Sequence, residues 1–391
     1  MDAVVRQIDR PAESIPRGPE SRLGYRPELD GLRGIAILLV MAFHLGGWPR
    51  GGELGVDLFF VLSGFLITTL LLEEWDARGS VSLRQFYLRR YFRLFPALAV
   101  FIAFFVITVI LFANDAVQMR LTGAVFGLTY TSNWVMAFNL PYPEWEIPHL
   151  WTLGIEEQFY LLWPPVLVVF LRRRWGARQT MWLLFGIIVA VLAWRSYLYL
   201  QGADLSRLKF ATDTRIDQLL VGCLAASVFA IRAREGTSRS PVLMAAGVVA
   251  GLFVVWQVAV FDLRSAWTLT LGQTVFAAAA ALLVYACVRG TMPVLTRALS
   301  ARALVFIGTI SYSLYLWHFS AKGFVERLLG VGSWQAIALE VTFAFIAAVG
   351  SYYVVERRFL RHRREHGRLS HTKTDVEASG TPAPLDVRPA A

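Results

Sequence analysis

The chain has 391 residues, of which 56% are apolar and only 17% charged, against about 25% charged in ordinary soluble chains. The mean hydropathy is +0.51, so a water-soluble two-domain enzyme is excluded as the first reading and a bilayer-embedded chain takes its place. The net charge of +10 comes from 38 basic and 28 acidic residues. All but Lys209, Lys322 and Lys373 of the basic residues are arginine. In a membrane chain such a surplus marks the cytoplasmic side, and a nucleic-acid partner is set aside. Cys223 and Cys287 both sit in apolar runs and offer neither a disulfide framework nor metal spacing.

Residues 1–32 are rich in Arg, Glu and Pro and read as a cytoplasmic N-terminal segment without a signal peptide. About 20 apolar residues are needed to cross roughly 30 Å of hydrocarbon. Ten runs meet that need, at about 34–50, 55–74, 95–113, 149–171, 179–200, 214–231, 241–261, 267–288, 303–321 and 333–355. The stretch 119–138 carries Arg120, Thr122, Thr129, Thr131, Ser132 and Asn133, too polar for a lipid-facing span. With ten spans and an inside N-terminus, 29 of the 38 basic residues fall on the cytoplasmic side. If 119–138 crossed as well, Arg172, Arg173 and Arg174 would move outside. The positive-inside bias therefore favours ten spans with both termini cytoplasmic and makes 119–138 a re-entrant or surface segment. The expected fold is all-α, a polytopic helical bundle over 33–361, followed by a disordered cytoplasmic tail over 362–391.

Ionisable groups inside spans are expensive and are candidates for function. Arg33 and His44 are eleven residues apart. Eleven helical steps end about 20° past three full turns and rise roughly 16 Å, so both side chains share a face; His44 lies near mid-bilayer if Arg33 sits at the cytoplasmic interface. An arginine there suits an anionic ligand or a topology anchor. A neutral imidazole at depth suits proton abstraction. Asp57, about one turn into the second span, comes near the depth of His44. There it could fix the imidazole tautomer or merely cap the helix. Arg90 and Arg93, three apart beside Tyr91 and Phe92, face the same way; they suit phosphates or anionic lipid. In the fourth span, at least one of Glu156 and Glu157 must point into a polar cavity, and His149 shares a face with Glu156. Asp213, Arg215 and Asp217 open the sixth span and read as structural ion pairs with neighbouring arginines. Ser311, Tyr315 and His318 share a face of the ninth span.

These residues together make the chain resemble the acyltransferase-3 family of polytopic membrane acyltransferases, of the O-antigen acetylase and macrolide acylase type. The resemblance rests on several features in order. They are Arg33-x10-His44, the segment Gly52 to Phe65 with Val56–Asp57 and Phe59 to Gly64, and Arg90-x-x-Arg93 before Pro96. Further on come Glu156–Glu157–Gln158–Phe159–Tyr160, Ser311–Tyr312–Ser313 with Trp317–His318, and Glu356. It covers about 25–360. It implies an enzyme that moves an acyl group, commonly acetyl but equally succinyl or similar, from cytoplasmic acyl-CoA to a hydroxyl. The acceptor would be a cell-surface glycan, a glycolipid or a secreted metabolite, and the location a bacterial inner or plasma membrane.

On that reading His44 is the general base, Asp57 orients it, and Arg33, Arg90 and Arg93 hold the acyl-CoA head. Glu156, Glu157, Ser311, Tyr315 and His318 line the acceptor channel. Acyl-CoA is a co-substrate; no permanently bound cofactor and no metal are expected. Many relatives carry an extra extracytoplasmic hydrolase-like domain. This sequence shows none, so transfer is expected to finish within the membrane domain. The rival readings are a transporter or flippase for an anionic lipid or glycan, which would explain buried charge equally well, and an intramembrane metallohydrolase using His44, Asp57 and His149. The latter lacks ligand spacing.

Overall fold

The structure is a computed structural model that describes residues 23–359 apart from 114, 144–145, 233–239 and 330–333. Among the described residues the regular structure is entirely helical. The N-terminal residues 1–22 and the expected tail 362–391 lie outside the described residues.

Helix α1 (Pro27–Gly46) starts on a proline, whose missing N–H costs nothing in a first turn, and ends where Gly47 takes a left-handed φ of 69° and donates to the Phe43 carbonyl. The expected boundary at 33 therefore falls inside the helix rather than before it. A 3-10 turn (Arg50–Glu53) leads into α2 (Leu54–Arg78), closed in the same way by Gly79 at φ 66°. Helix α3 (Leu83–Phe112) is capped by Ser82, whose hydroxyl accepts from the Gln85 amide. These three, α6 (Trp151–Arg172), α7 (Ala177–Leu200) and α11 (Pro241–Val260) correspond to six of the ten expected spans. So do α12 (Gln273–Val288, after a π-turn at Thr268–Gly272) and α16 (Trp334–Ser351, continued by a π-turn to Glu356). Among the described residues, eight helices are long and apolar enough to cross a membrane.

The other two runs differ in an instructive way. The run 303–321 is broken into α14 (Arg302–Thr309) and α15 (Ser311–Leu329), bent by 72°. Counting that pair as one span brings the total to nine. The run 214–231 yields α10 (Asp217–Arg232), only 16 residues long. That is about 24 Å of helix, short of the hydrocarbon thickness. Charged Asp213, Arg215 and Asp217 break its start into the separate turn α9 (Thr212–Arg215), which follows α8 (Leu205–Phe210). The stretch 119–138 is not one helix but two, α4 (Val117–Leu128) and α5 (Ser132–Ala137). Neither is long enough to span. Helix α13 (Pro293–Leu299) links α12 to α14.

The bundle centres on α2, which packs most extensively against α10. The two helices touch backbone to backbone. A Cβ on Gly64 would collide with the Leu219 carbonyl, and one on Gly222 with the Val61 carbonyl. Helix α1 packs against α2 and α14, and α15 against α16. At the periphery α3, α7 and α11 turn outward such side chains as Ile110, Leu111, Trp182, Leu252 and Val255. A continuous apolar exterior of that extent is a lipid-facing surface.

Two ion pairs, one wholly buried and one partly exposed, tie these helices together. Arg195 is fully buried and bonds both oxygens of Asp217 at 3.1 Å, the Thr214 carbonyl at 2.9 Å and the Thr270 carbonyl at 2.7 Å. Arg207 grips Asp213 from the same chain region at 2.8 Å, with Trp194 Nε1 donating at 2.9 Å. Burial alone would raise the Asp213 carboxyl, but these bonds hold it below the usual carboxylate range. The structural reading of Asp213 and Asp217 fits this network. Gln158 pins the junction of α4 and α5: its amide donates to the Tyr130 carbonyl and to Asn133 Oδ1, both at 2.9 Å.

Candidate active site

Helix α1 carries Arg33 and His44 near opposite ends of one face, roughly 16 Å apart along the axis. Each end gathers its own set of residues from distant parts of the chain.

At the first end, His44 meets His318 from α15, with Nδ1 and Nε2 3.3 Å apart. His149, in the 3-10 turn (Pro148–Leu150) before α6, completes a histidine cluster, its ring centroid 5.2 Å from that of His318. Phe319 is the platform: it stacks on His149 at 5.2 Å and 2° and lies 4.7 Å from His44. Tyr315 donates its hydroxyl to the His149 carbonyl at 2.8 Å and accepts from Thr152 at 2.7 Å. Lys322 Nζ donates to the His44 carbonyl at 2.8 Å, a cation on the last turn of α1 where the helix dipole favours it.

Next to the cluster is a cavity of about 120 Å³, with His44, Asp57, His149, Trp151, Tyr315 and Arg215 in its wall. That volume holds about four waters. Lys209 and Glu53, paired at 2.8 Å, belong both to this wall and to that of an adjoining outer vestibule of about 340 Å³.

Asp57 does not meet its expected partner. Its carboxylate pairs with Arg215 of α9 at 3.1 Å, both side chains 3% exposed, and Arg215 lies over the Trp151 ring. A carboxylate removed from water needs a cation, and a neutral imidazole competes poorly against a guanidinium delivered by α9. Asp57 shares the cavity with His44 but is held away from its ring, whose Nδ1 instead faces His318.

The second end is built by α1, α2, α3, α6, α15 and the π-turn after α16. Arg90 binds Glu157 at 3.0 Å and lies 3.0 Å over the centre of the Tyr160 ring. Ser63 donates to Glu156 at 2.9 Å. Ser313 donates to buried Glu356, and Tyr312 to the Leu94 carbonyl at 3.0 Å. Arg93 is exposed and stands in the field of Arg33, Arg90, Asp30 and Glu356. Among the described residues Arg33 makes one ion pair, a long one of 3.9 Å to Asp30.

The three expected arginines therefore converge, but unequally. Arg90 is committed to Glu157 and Tyr160, which leaves Arg33 and Arg93 with spare donors. Glu156 and Glu157 sit with the arginines and not in the wall of the histidine cavity, because Glu156 lies more than a turn into α6 while His149 is in the 3-10 turn before it. Tyr315 does line that cavity. Ser311 is buried one turn away and is not part of the wall; His318 is buried behind His44.

Helical periodicity could pair residues within one helix, as it did Arg33 with His44. It had no means of joining His149, His318 and His44 across three helices, or of choosing Arg215 for Asp57. The one available signal was that all three histidines lie in spans. Among the described residues no group of three or more His, Cys, Asp or Glu is arranged to hold a metal ion.

Residues 26–356 match a family model described as an acyltransferase domain. The chain is 35% identical over 349 residues to the peptidoglycan O-acetyltransferase OatA of Listeria monocytogenes, covering 85% of this chain and 55% of that protein. It is 34% identical to the putative peptidoglycan O-acetyltransferase YrhL of Bacillus subtilis, covering 85% of this chain and 54% of the relative. A putative O-acetyltransferase of Staphylococcus aureus is 32% identical, with 86% and 58% covered. The chain thus spans little more than half the length of these relatives. No solved structure matches it.

Proposed function

The chain belongs to this acyltransferase family and is a multi-pass cell-membrane protein, and on that premise we propose that it is an O-acyltransferase working from a cytoplasmic acyl-CoA. The arginine end faces the cytoplasm, where Arg33 and Arg93 have spare donors for the anionic head of the donor. The acyl thioester reaches along α1 toward His44. The acceptor hydroxyl enters the 120 Å³ cavity from the opposite face, past Glu53 and Lys209.

His44 Nε2 takes the hydroxyl proton as the oxygen attacks the thioester carbonyl. The C–S bond breaks, and the leaving thiolate takes the proton back from the imidazolium. The acceptor is a hydroxyl of a cell-envelope glycan, and the names of the relatives favour peptidoglycan. The observation that carries this reading is the division of labour along α1: under-committed cations at one end, and a histidine lining a small cavity about 16 Å away.

The test is transfer from radiolabelled acetyl-CoA to peptidoglycan fragments in liposomes. A general base is typically worth 10²–10⁴-fold, so His44→Ala is expected to lose at least about 10²-fold with protein yield unchanged. Activity within about twofold of wild type overturns the assignment of the base. Glycan movement across the bilayer without acyl-CoA consumption overturns the enzyme reading in favour of a transporter.

A further inference from the structure

The hydrogen bonds around His318 determine where the proton on His44 sits. His318 Nδ1 lies 2.7 Å from the Tyr315 carbonyl. A carbonyl oxygen only accepts, so this nitrogen carries the hydrogen. The ring of His318 is fully buried, where a charged imidazolium is disfavoured. Neutral His318 therefore presents a bare lone pair at Nε2. That lone pair faces His44 Nδ1 at 3.3 Å, so the hydrogen between the rings belongs to His44 Nδ1. With Nδ1 protonated, the remaining lone pair of neutral His44 is on Nε2. Had Nδ1 been bare, two lone pairs would oppose each other across the 3.3 Å between the rings.

We propose that His318 is the positioning residue of the site: it holds His44 in the Nδ1–H tautomer and so leaves Nε2 as the base. This is the task that sequence spacing assigned to Asp57, which Arg215 has taken. The choice of a neutral partner fits its place. Lys322 donates to the His44 carbonyl, and the two carboxylates of the cavity wall, Glu53 and Asp57, are already paired with Lys209 and Arg215, so neither is given over to the positive charge that His44 gains in turnover. A proton shared along Nδ1–H···Nε2 spreads that charge over two rings. The same pairing explains why His318 is wholly buried while serving a cavity it does not line.

The proposal rests on His44 being the base, but its first test needs no substrate. Solid-state NMR of ¹⁵N-histidine-labelled protein in lipid bilayers reads the tautomer directly, with His44→Gln used for assignment. The expected wild-type spectrum has His44 protonated at Nδ1 and a scalar coupling from that nitrogen to His318 Nε2. His318→Leu removes the acceptor and is expected to admit the Nε2–H tautomer of His44. His318→Gln places a carbonyl oxygen near the lost Nε2 and is expected to keep Nδ1–H. Acetyl-CoA turnover should follow, falling roughly 10²-fold in His318→Leu with KM for acetyl-CoA within about twofold, and recovering at least tenfold in His318→Gln.

An Nε2–H tautomer in wild type, or a His44 signal unmoved by His318→Leu, overturns the proposal. The inter-ring coupling is read on wild type, so it decides the case even where His318→Leu does not fold. Failure of wild type to use acetyl-CoA would remove the functional reading while the tautomer assignment stands on its own spectrum.

Discussion

Asp57 shows how a residue's place in the chain and its partner in space come apart. Its depth beside His44 was legible from the short turn between α1 and α2. Its partner was not, because Arg215 arrives from 158 residues away, on a turn whose local sequence suggested only that ion pairs would form. The pair is buried on both sides, so removing one partner leaves an uncompensated charge, at a cost of about 3–5 kcal/mol. Asp57→Asn is therefore expected to lower the thermal stability of the detergent-solubilised protein sharply. The double variant Asp57→Leu, Arg215→Met should recover most of that loss, since hydrophobic replacement of a buried pair is often neutral. Thermal unfolding of the three proteins checks this. A double variant as unstable as Asp57→Asn would mean that Asp57 has a second essential partner. Arg33, His44 and Arg93 were legible for the opposite reason: their relation is set within one helix or by three-residue spacing, and the backbone alone enforces it.

At the scale of elements, apolar length located the helices, and polar interruptions marked where they would break. The stretch 119–138 parts at Thr129–Thr131, between α4 and α5. The sixth run loses its first turn to Thr212–Arg215. The bend between α14 and α15 had no such warning, since Thr309, Ile310 and Ser311 are unremarkable in a span; it arises where α14 packs on α1 and α15 turns toward α16. Small residues were the other readable feature. Ser63–Gly64 signalled close helix approach, and the structure supplies the partner, the α10 backbone at Leu219. A methyl group there meets a carbonyl that cannot move without its helix. Gly64→Ala is thus expected to destabilise by about 1–3 kcal/mol or more. Gly186 in α7 is also helical, but a Cβ there meets nothing within 4 Å. Gly186→Ala should stabilise by roughly 0.5–1 kcal/mol. Thermal midpoints moving in opposite directions support this account of α2 and α10; equal shifts would refute it.

For the whole molecule, the two ends of the candidate site gain meaning only from the side of the membrane each one faces. The proposed cytoplasmic acyl-CoA donor requires the arginine end to open on that side, and the distribution of basic residues argues for the same orientation. Helix α2 runs 25 residues from Leu54 to Arg78, about 37 Å, long enough to put the turn at Trp48 and the turn at Gly79 on opposite faces of a bilayer. Both native cysteines, Cys223 and Cys287, are buried and give little background to a thiol probe. Trp48 is 77% exposed and Leu200 76%, on the face that the charge bias places outside; Val294 is 79% exposed on the other. In intact cells, a membrane-impermeant maleimide is expected to label Trp48→Cys and Leu200→Cys. Gly79→Cys and Val294→Cys should react only after the membrane is opened. The reverse pattern would put the histidine cavity on the cytoplasmic side and Arg33 and Arg93 outside. The arginines could then no longer bind the donor, and the route along α1 would have to run the other way. A mixed pattern, with Trp48→Cys and Gly79→Cys labelled from one side, would show that α2 does not cross. That would overturn the bilayer placement of His44 together with the distance argument built on it.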